Sequence, residues 1–379
     1  MPDLALQRTA RDSFVSADVP GVGLAKLIVG GVAFILLTVW IFWYQFHRIQ
    51  IGDQAPKWDQ LRWGYFWLIL LCLPIETLAA GVRTWVVSRT LQPTVHLWTC
   101  IKAEWVNVAL NTLTPSHSGG GPGQIYILSR DGVRVGTALT ISLLSFLGTM
   151  VGLFCMGLYS LLVSGIDNTG PLFIAAVCTL TSVSAAMLLA AIWPGLCRVV
   201  LAGISRAFWR VRGGHGPLHD WWPPGEPRTV PPVDRMDRWA GNLVDIIYAY
   251  RDNVGRFVRV GKVSFVWVCL LSLVFLLSRS LQAYLCVRFL GIETSGLRHI
   301  MEIQMALIFL IFFAPTPGGA GMAEGASLSV MAEIVPVGFA PYYNMLWRFS
   351  TAYLAAIAGL FCLLRALLQD ARKVIHHRH

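Results

Sequence analysis

The 379-residue chain is 55% hydrophobic, only 13% charged, and carries a formal net charge of +10. Several apolar runs reach the roughly 20 residues a helix needs to cross hydrocarbon, which excludes a soluble domain and points to an all-α polytopic membrane protein. The basic balance reads as a topology signal and a fit to anionic lipid, and no nucleic acid is expected as a partner.

In chain order, residues 1–23 are polar and read as a cytoplasmic segment. The run Leu24 to Phe46 is too long for a signal peptide and lacks its small-residue cleavage site, so it is expected as a retained first span. Further spans are predicted at 63–87, 135–164, 171–193, 262–288 and 343–368, giving six. Tryptophans near the ends of apolar runs, Trp40, Trp43, Trp63, Trp85 and Trp193, fit the headgroup zone. The eight cysteines form no C-x-x-C pair and read as packing residues, not as a disulfide framework or metal site.

Two less regular apolar stretches, about 97–113 and 299–314, run into "LTPSHSGGGPGQ" and "FAPTPGGAGMAEG" and then resume as short helical patterns. Proline removes a backbone donor and glycine weakens helix, so each cluster breaks its helix at depth. The expected result is two re-entrant hairpins, about 97–131 and 299–331, within membrane regions 24–193 and 262–368. Non-helical backbone at that depth must line protein or a wet cavity, and the freed amides at the start of each second half-helix form a candidate anion site.

Between the membrane regions, 194–261 holds a proline-rich linker and a pattern of apolar and arginine residues at about 234–259. That pattern reads as an amphipathic helix lying on the inner leaflet or packing on the protein's own cytoplasmic face. The eleven Lys and Arg residues from Arg198 to Lys262 place this connection in the cytoplasm. Parity then puts both termini inside, including the basic tail 369–379, in a plasma (inner) membrane.

The two broken stretches repeat. Pro115 and Pro315 are each followed four residues on by glycine, Gly119 and Gly319, and the next span contains "GLFC" at 152–155 and again at 359–362. With three spans between the starts of the copies, they face opposite ways, an inverted repeat of the kind alternating-access transporters use. Ionisable residues fall inside these spans: Glu76 and Arg83 seven apart on one helix face, Arg279, Arg348 near the start of the last span, and Glu324 in the second hairpin. Each must meet a partner or water, and pairing of Glu76 with Arg83 is one structural alternative to substrate binding.

"NTLTPSHSGGGPGQIYILSRDGV" and "FAPTPGGAGMAEGAS" resemble the two signature regions of the integral-membrane domain of lysylphosphatidylglycerol synthases, a flippase-like family that includes stand-alone relatives. The resemblance covers about 24–368. It implies a lipid flippase or lipid-binding transporter with a cavity reached from the bilayer. The positions matching its signatures are Pro115, Gly119, Gly120 and Arg130 in the first, and Pro315, Gly318, Gly319, Gly321 and Glu324 in the second. Bifunctional members carry a soluble aminoacyltransferase domain after the membrane part; this chain ends at His379, just past its last span, so aminoacyl transfer is not expected.

The expected function is movement of an anionic or phosphate-bearing lipid, such as an anionic phospholipid or a polyprenyl phosphate, between leaflets. Arg279 and the half-helix amino termini would hold the phosphate. No enzymatic motif is complete, no cofactor is implied, and without a nucleotide-binding motif transport is passive or ion-coupled. The alternatives are a small-anion transporter using the same helix termini, or a non-transporting scaffold that presents lipid to a separate lipid-synthesising enzyme.

Overall fold

A computed structural model describes residues 24–48, 56–114, 118–164, 249–293, 296–312, 316 and 318–376, with 178, 182 and 185. Among these residues the chain is helical, with no strand. Helix α1 is Leu24–Arg48, α2 Trp63–Leu91, α3 Leu97–Leu113, α4 Gly120–Arg130 and α5 Val135–Ser164. Helix α6 covers 249–260. Then follow α7 Lys262–Phe289, α8 Leu297–Phe312, α9 Met322–Val330, α10 Ala340–Arg348 and α11 Leu354–His376, with a π-helical turn at Phe349–Tyr353 joining the last two.

Four segments of the described residues are long and apolar enough to cross a bilayer: Trp63–Leu91, Val135–Met156, Lys262–Phe289 and Val337–Asp370. They coincide with the predicted spans at 63–87, 135–164, 262–288 and 343–368, and α1 is a 25-residue helix over the first predicted span. The predicted span at 171–193 lies outside the described residues. Both broken stretches form two short helices each, α3 with α4 and α8 with α9. The protein is thus an all-helical integral membrane protein, in which the order long helix, short pair, long helix occurs twice.

The long helices α2 and α7 pack directly on one another. Their direction follows from three contacts. Arg62, at the start of α2, donates its backbone N–H to Phe289 at the end of α7 (2.9 Å); Gln282 meets Glu76 at mid-length (2.9 Å); and Thr90 meets Ser264 at the far end (3.0 Å). Helices α2 and α7 therefore run antiparallel.

Each hairpin builds its own apolar core against this central pair. Cys100, Val106, Leu128, Ile141 and Leu363 join α3 and α4 to α5 and α11, while Ile300, Leu307, Tyr343 and Trp347 join α8 to α10. In lipid, helices gain little from burying apolar surface and associate by close packing, so small residues sit at the seams. A Cβ added to Gly152 would meet Leu276 of α7 at 3.0 Å, which puts this glycine of "GLFC" in a packing role against α7.

The described end of the connection between the two membrane regions packs one face on α5. Tyr250 and Phe257 of α6 are buried, and Asn253 reaches Thr137 and Thr140 of α5 at 3.3 and 3.4 Å. Arg251, Arg256 and Arg259 stay exposed on the opposite side. The pattern before residue 249 lies outside the described residues.

Candidate functional site

The second signature turn is left-handed three times within four residues: φ is 58° at Gly318, 69° at Gly319 and 85° at Gly321. Side chains rarely adopt these angles, so the sequence can make this turn only with glycine. The turn is closed by Glu324. Its Oε2 accepts the Gly321 N–H at 2.7 Å, and its Oε1 lies 3.0 Å from Nε of Arg348. Arg348 in turn donates to the Gly318 carbonyl at 2.7 Å. The Glu324 and Arg348 side chains are 2% and 5% exposed, so the pair is an internal brace of the turn. Helix α1 reaches the same place, with buried Gln45 at 3.5 Å from Asn344 Nδ2.

The first signature turn solves the same problem with side-chain caps. Gly119 N–H donates to Thr114 Oγ1 at 2.8 Å, and Gly120 N–H donates to Asn111 Oδ1 at 3.0 Å. A Cβ at Gly120 would overlap the Asn111 and Asn107 amides, so glycine serves close approach here. In both hairpins, then, first-turn amides of the second half-helix already bond to the chain's own side chains. The expectation that they stand open to an anion meets these internal acceptors. Pro115 and Pro315 lie outside the described residues.

From the first turn a hydrogen-bonded relay runs inward. Asn111 donates to Asn107 at 2.6 Å, Asn107 to Gln124 Oε1 at 3.2 Å, and Gln124 to Glu104 Oε1 at 3.0 Å. Glu104 Oε1 also accepts from the Thr84 hydroxyl and from Arg83 Nη2, the latter at 3.5 Å. Arg83 Nη1 continues to Thr149 of α5 at 2.6 Å and Ser272 of α7 at 3.4 Å. This relay links five helices through buried and half-buried polar groups, which would be costly in hydrocarbon without partners.

Glu76 and Arg83 share a face of α2 but not a bond. Glu76 pairs across the central seam with Arg279, Nε to Oε1 at 3.0 Å, and accepts from Gln282 at 2.9 Å. Arg279 also donates to the Thr351 carbonyl at 2.7 Å, inside the π-helical turn. A π turn widens the helix and leaves a carbonyl off the regular ladder, and such turns recur at functional sites. Phe275 lies between the two networks, its ring centre 5.5 Å from the Arg83 guanidinium and 5.3 Å from that of Arg279. Of the three arginines in these pairs, Arg279 is the most open, with its side chain 25% exposed against 7% for Arg83 and 5% for Arg348.

Arg130, the last signature residue of the first hairpin, sits apart from this interior. Its Nε faces both Asp370 oxygens at 3.0 and 3.1 Å, and Tyr126 donates to the same carboxylate at 2.8 Å. It therefore fastens α4 to the end of α11. Sequence reasoning missed Glu104, Gln124, Gln282 and Phe275. A signal for two of them exists: Gln124 stands as far past Gly119 as Glu324 does past Gly319. Likewise Glu104 and Gln304 stand equally far before those glycines.

Two outer contacts between helices differ in how tightly they close. Helix α3 packs on α11 so closely that a Cβ at Gly359 would overlap the Trp105 carbonyl. Where α5 meets α8, Met150, Leu153 and Met156 pack with Ile308, and beside this contact a crevice of about 580 Å³ opens between α5, α7 and α8. Leu273, Leu277, Met156 and Met301 give it an apolar lining, and Arg298 and Glu302 stand beside them. Among the described residues no three His, Cys, Asp or Glu side chains converge as a metal site.

No curated protein sequence matches the chain. A family model described as the lysylphosphatidylglycerol synthase TM region matches residues 27–359 of 379, a stretch that includes both hairpins, the central α2/α7 pair and the buried ion pairs. The chain belongs to the lysylphosphatidylglycerol synthase TM-region family.

Proposed function

We propose that this protein carries an anionic or phosphate-bearing lipid between the leaflets of the inner membrane, through two inverted halves that rock about the α2/α7 seam. Both termini would lie in the cytoplasm, and the activity would be transport without aminoacyl transfer. The observation that carries the reading is the unequal closure of two outer contacts: α3 against α11 is sealed, whereas an apolar crevice opens beside the contact of α5 with α8. In an inverted repeat, exchange of these two conformations opens one side as it closes the other. The antiparallel packing of α2 on α7 supports the inversion.

The apolar lining favours a lipid over a small anion, whose desolvation such walls would not repay. Arg279 is the residue assigned to the lipid phosphate, because it is the most exposed arginine of the three ion pairs and could exchange Glu76 for the incoming anion. The test is translocation of fluorescent phospholipids in proteoliposomes with a membrane-impermeant quencher. Wild type should accelerate loss of inner-leaflet signal, and Arg279→Ala should not. Absence of acceleration with folded protein, across anionic phospholipids and a polyprenyl phosphate, would reject transport of these lipids.

A further inference from the structure

Three buried carboxylates face arginines in the interior, and their surroundings differ in the protonation states they can accept. Glu324 is met on both oxygens by groups that only donate, the Gly321 N–H and Arg348, so its site fits the ionised form alone. Glu104 accepts from Gln124, whose own amide oxygen is already taken by Asn107 and Ser142. Glu76 differs from both. Arg279 meets its Oε1 at 3.0 Å, and its Oε2 accepts from Gln282 Nε2 at 2.9 Å. Gln282 is 0% exposed, and its amide oxygen has no hydrogen-bond partner among the described residues. A buried carbonyl left without a donor is unfavourable, so the site holds an acceptor that this state does not use.

A half-turn of the Gln282 amide exchanges its two ends and puts that acceptor where the donor stood, beside Glu76 Oε2. Two oxygens in this position repel unless the carboxyl carries a proton, which then forms an O–H···O=C bond. Glu76 thus has a hydrogen-bonded arrangement for each protonation state. Arg279 is the more open partner, 25% exposed against 9% for Glu76, and it keeps the Thr351 carbonyl at 2.7 Å and the face of Phe275 whether or not Glu76 is charged. The other groups around the pair leave it isolated. Cys72, one turn earlier on α2, feels the Glu76 charge; Arg83, two turns later, is held by Glu104 of α3 and Thr149 of α5; and the π turn presents its Thr351 carbonyl to Arg279.

We infer that Glu76 binds the proton that couples transport to a pH gradient; this rests on the lipid-transport reading and on Arg279 as its phosphate site. The lipid phosphate takes Arg279, and the displaced Glu76 carboxylate takes one proton from water and donates it to the Gln282 amide oxygen. Charge balances at each stage: the guanidinium neutralises first the carboxylate and then the phosphate, while the carboxyl becomes neutral. A displaced carboxylate left ionised would be an unpaired charge inside the bilayer, the costly state that proton uptake avoids. Proton and anion therefore cross together, and their release re-forms the ion pair. The coupling is reciprocal, since protonation of Glu76 raises anion affinity at Arg279 by the factor with which the anion raises proton affinity at Glu76.

The purified full chain in detergent would be mixed, in weakly buffered solution near neutral pH, with dihexanoylphosphatidylglycerol below its micelle concentration, and protons followed with an indicator dye. The phosphodiester stays ionised, so uptake reports on the protein. Wild type should take up about one proton per lipid bound, Glu76→Gln none, and Glu104→Gln about one. Uptake that survives in Glu76→Gln, or is lost only in Glu104→Gln, would overturn the assignment. Infrared difference spectra of the wild type make the same test without a charge variant. Lipid should bring up the C=O band of a protonated carboxyl, and Gln282→Leu, which removes the acceptor, should shift it; no such band would overturn the proposal. In proteoliposomes, a pH difference of about one unit should enrich a trace of labelled phosphatidylglycerol about tenfold in the leaflet on the alkaline side, beyond protein-free vesicles, and Glu76→Gln should abolish this. Translocation indifferent to the gradient, with no proton uptake on binding, would overturn the coupling and leave the transport reading standing. Proton uptake on binding without translocation would keep Glu76 as the proton site and remove the transport reading.

Discussion

Glu76 is bonded to Arg279 across the α2/α7 seam at 3.0 Å, although Arg83 lies on the same face of its own helix. Breaking a buried pair leaves one charge uncompensated, which costs about 3–5 kcal/mol. Glu76→Ala should therefore lower the thermal unfolding midpoint in detergent sharply. Arg279→Ala should do the same, less severely because its side chain is 25% exposed. The double variant should be more stable than the sum of the two losses, as read from a double-mutant cycle. Additive losses would show that the pair is not coupled.

Glu324 tests whether the second turn is braced or merely permitted. Glu324→Gln keeps an acceptor for the Gly321 N–H but removes the charge facing Arg348, and Glu324→Ala removes both. Hydrogen exchange at the Gly321 amide should be little changed in the first variant and faster by about tenfold or more in the second, the scale of one lost hydrogen bond to a charged acceptor. Both variants should be less stable than wild type, because Arg348 is left buried without its carboxylate.

Phe275 is flanked by two guanidinium groups and packs against the apolar cluster of Met150, Leu153, Met156, Leu276 and Ile308. Phe275→Ala should cost about 3–5 kcal/mol through the cavity it leaves. Phe275→Leu should cost less and lose chiefly the cation–π part, on the order of 1–2 kcal/mol for two partly desolvated contacts. Lipid translocation is expected to become faster or leakier in Phe275→Leu, since the apolar packing between the two guanidinium groups is thinned; a rate identical to wild type would exclude a gating role for the ring.

The sealed seam offers a contrast between packing and charge. Gly359→Ala places a methyl against the Trp105 carbonyl and should destabilise by about 1–3 kcal/mol as α3 and α11 are forced apart. Asp370→Asn weakens a pair whose side chains are 21% and 38% exposed, so global stability should fall by no more than about 1 kcal/mol. Its effect should instead appear as greater maleimide accessibility of a cysteine introduced at Trp105, if loosening Arg130 frees α4 from α11. Unchanged accessibility would confine the Arg130–Asp370 contact to the surface.

Much of the architecture was legible along the chain because entry into hydrocarbon is a local property. Runs such as 262–288 declare themselves residue by residue through transfer energy, and "PTPGGAG" announces a break because proline and glycine act on their own backbone. The left-handed angles at Gly318, Gly319 and Gly321 bear this out. The two turns are nonetheless built differently: Gly119 is right-handed and its N–H is capped by Thr114, whereas Gly319 is left-handed and the cap of its turn falls on Gly321.

Partner choice was decided only in three dimensions. Seven residues of helix rise about 10.5 Å, so Glu76 and Arg83 on one face are too far apart to bond directly. The residue that does reach Glu76 comes from a helix some two hundred positions away, at 3.0 Å, because α2 and α7 pack antiparallel. Arg130 follows the same rule: its signature position names no partner, and Asp370 of α11 supplies it at 3.0 Å. A charge in a sequence states what it needs, and the helix packed against it determines which group supplies it.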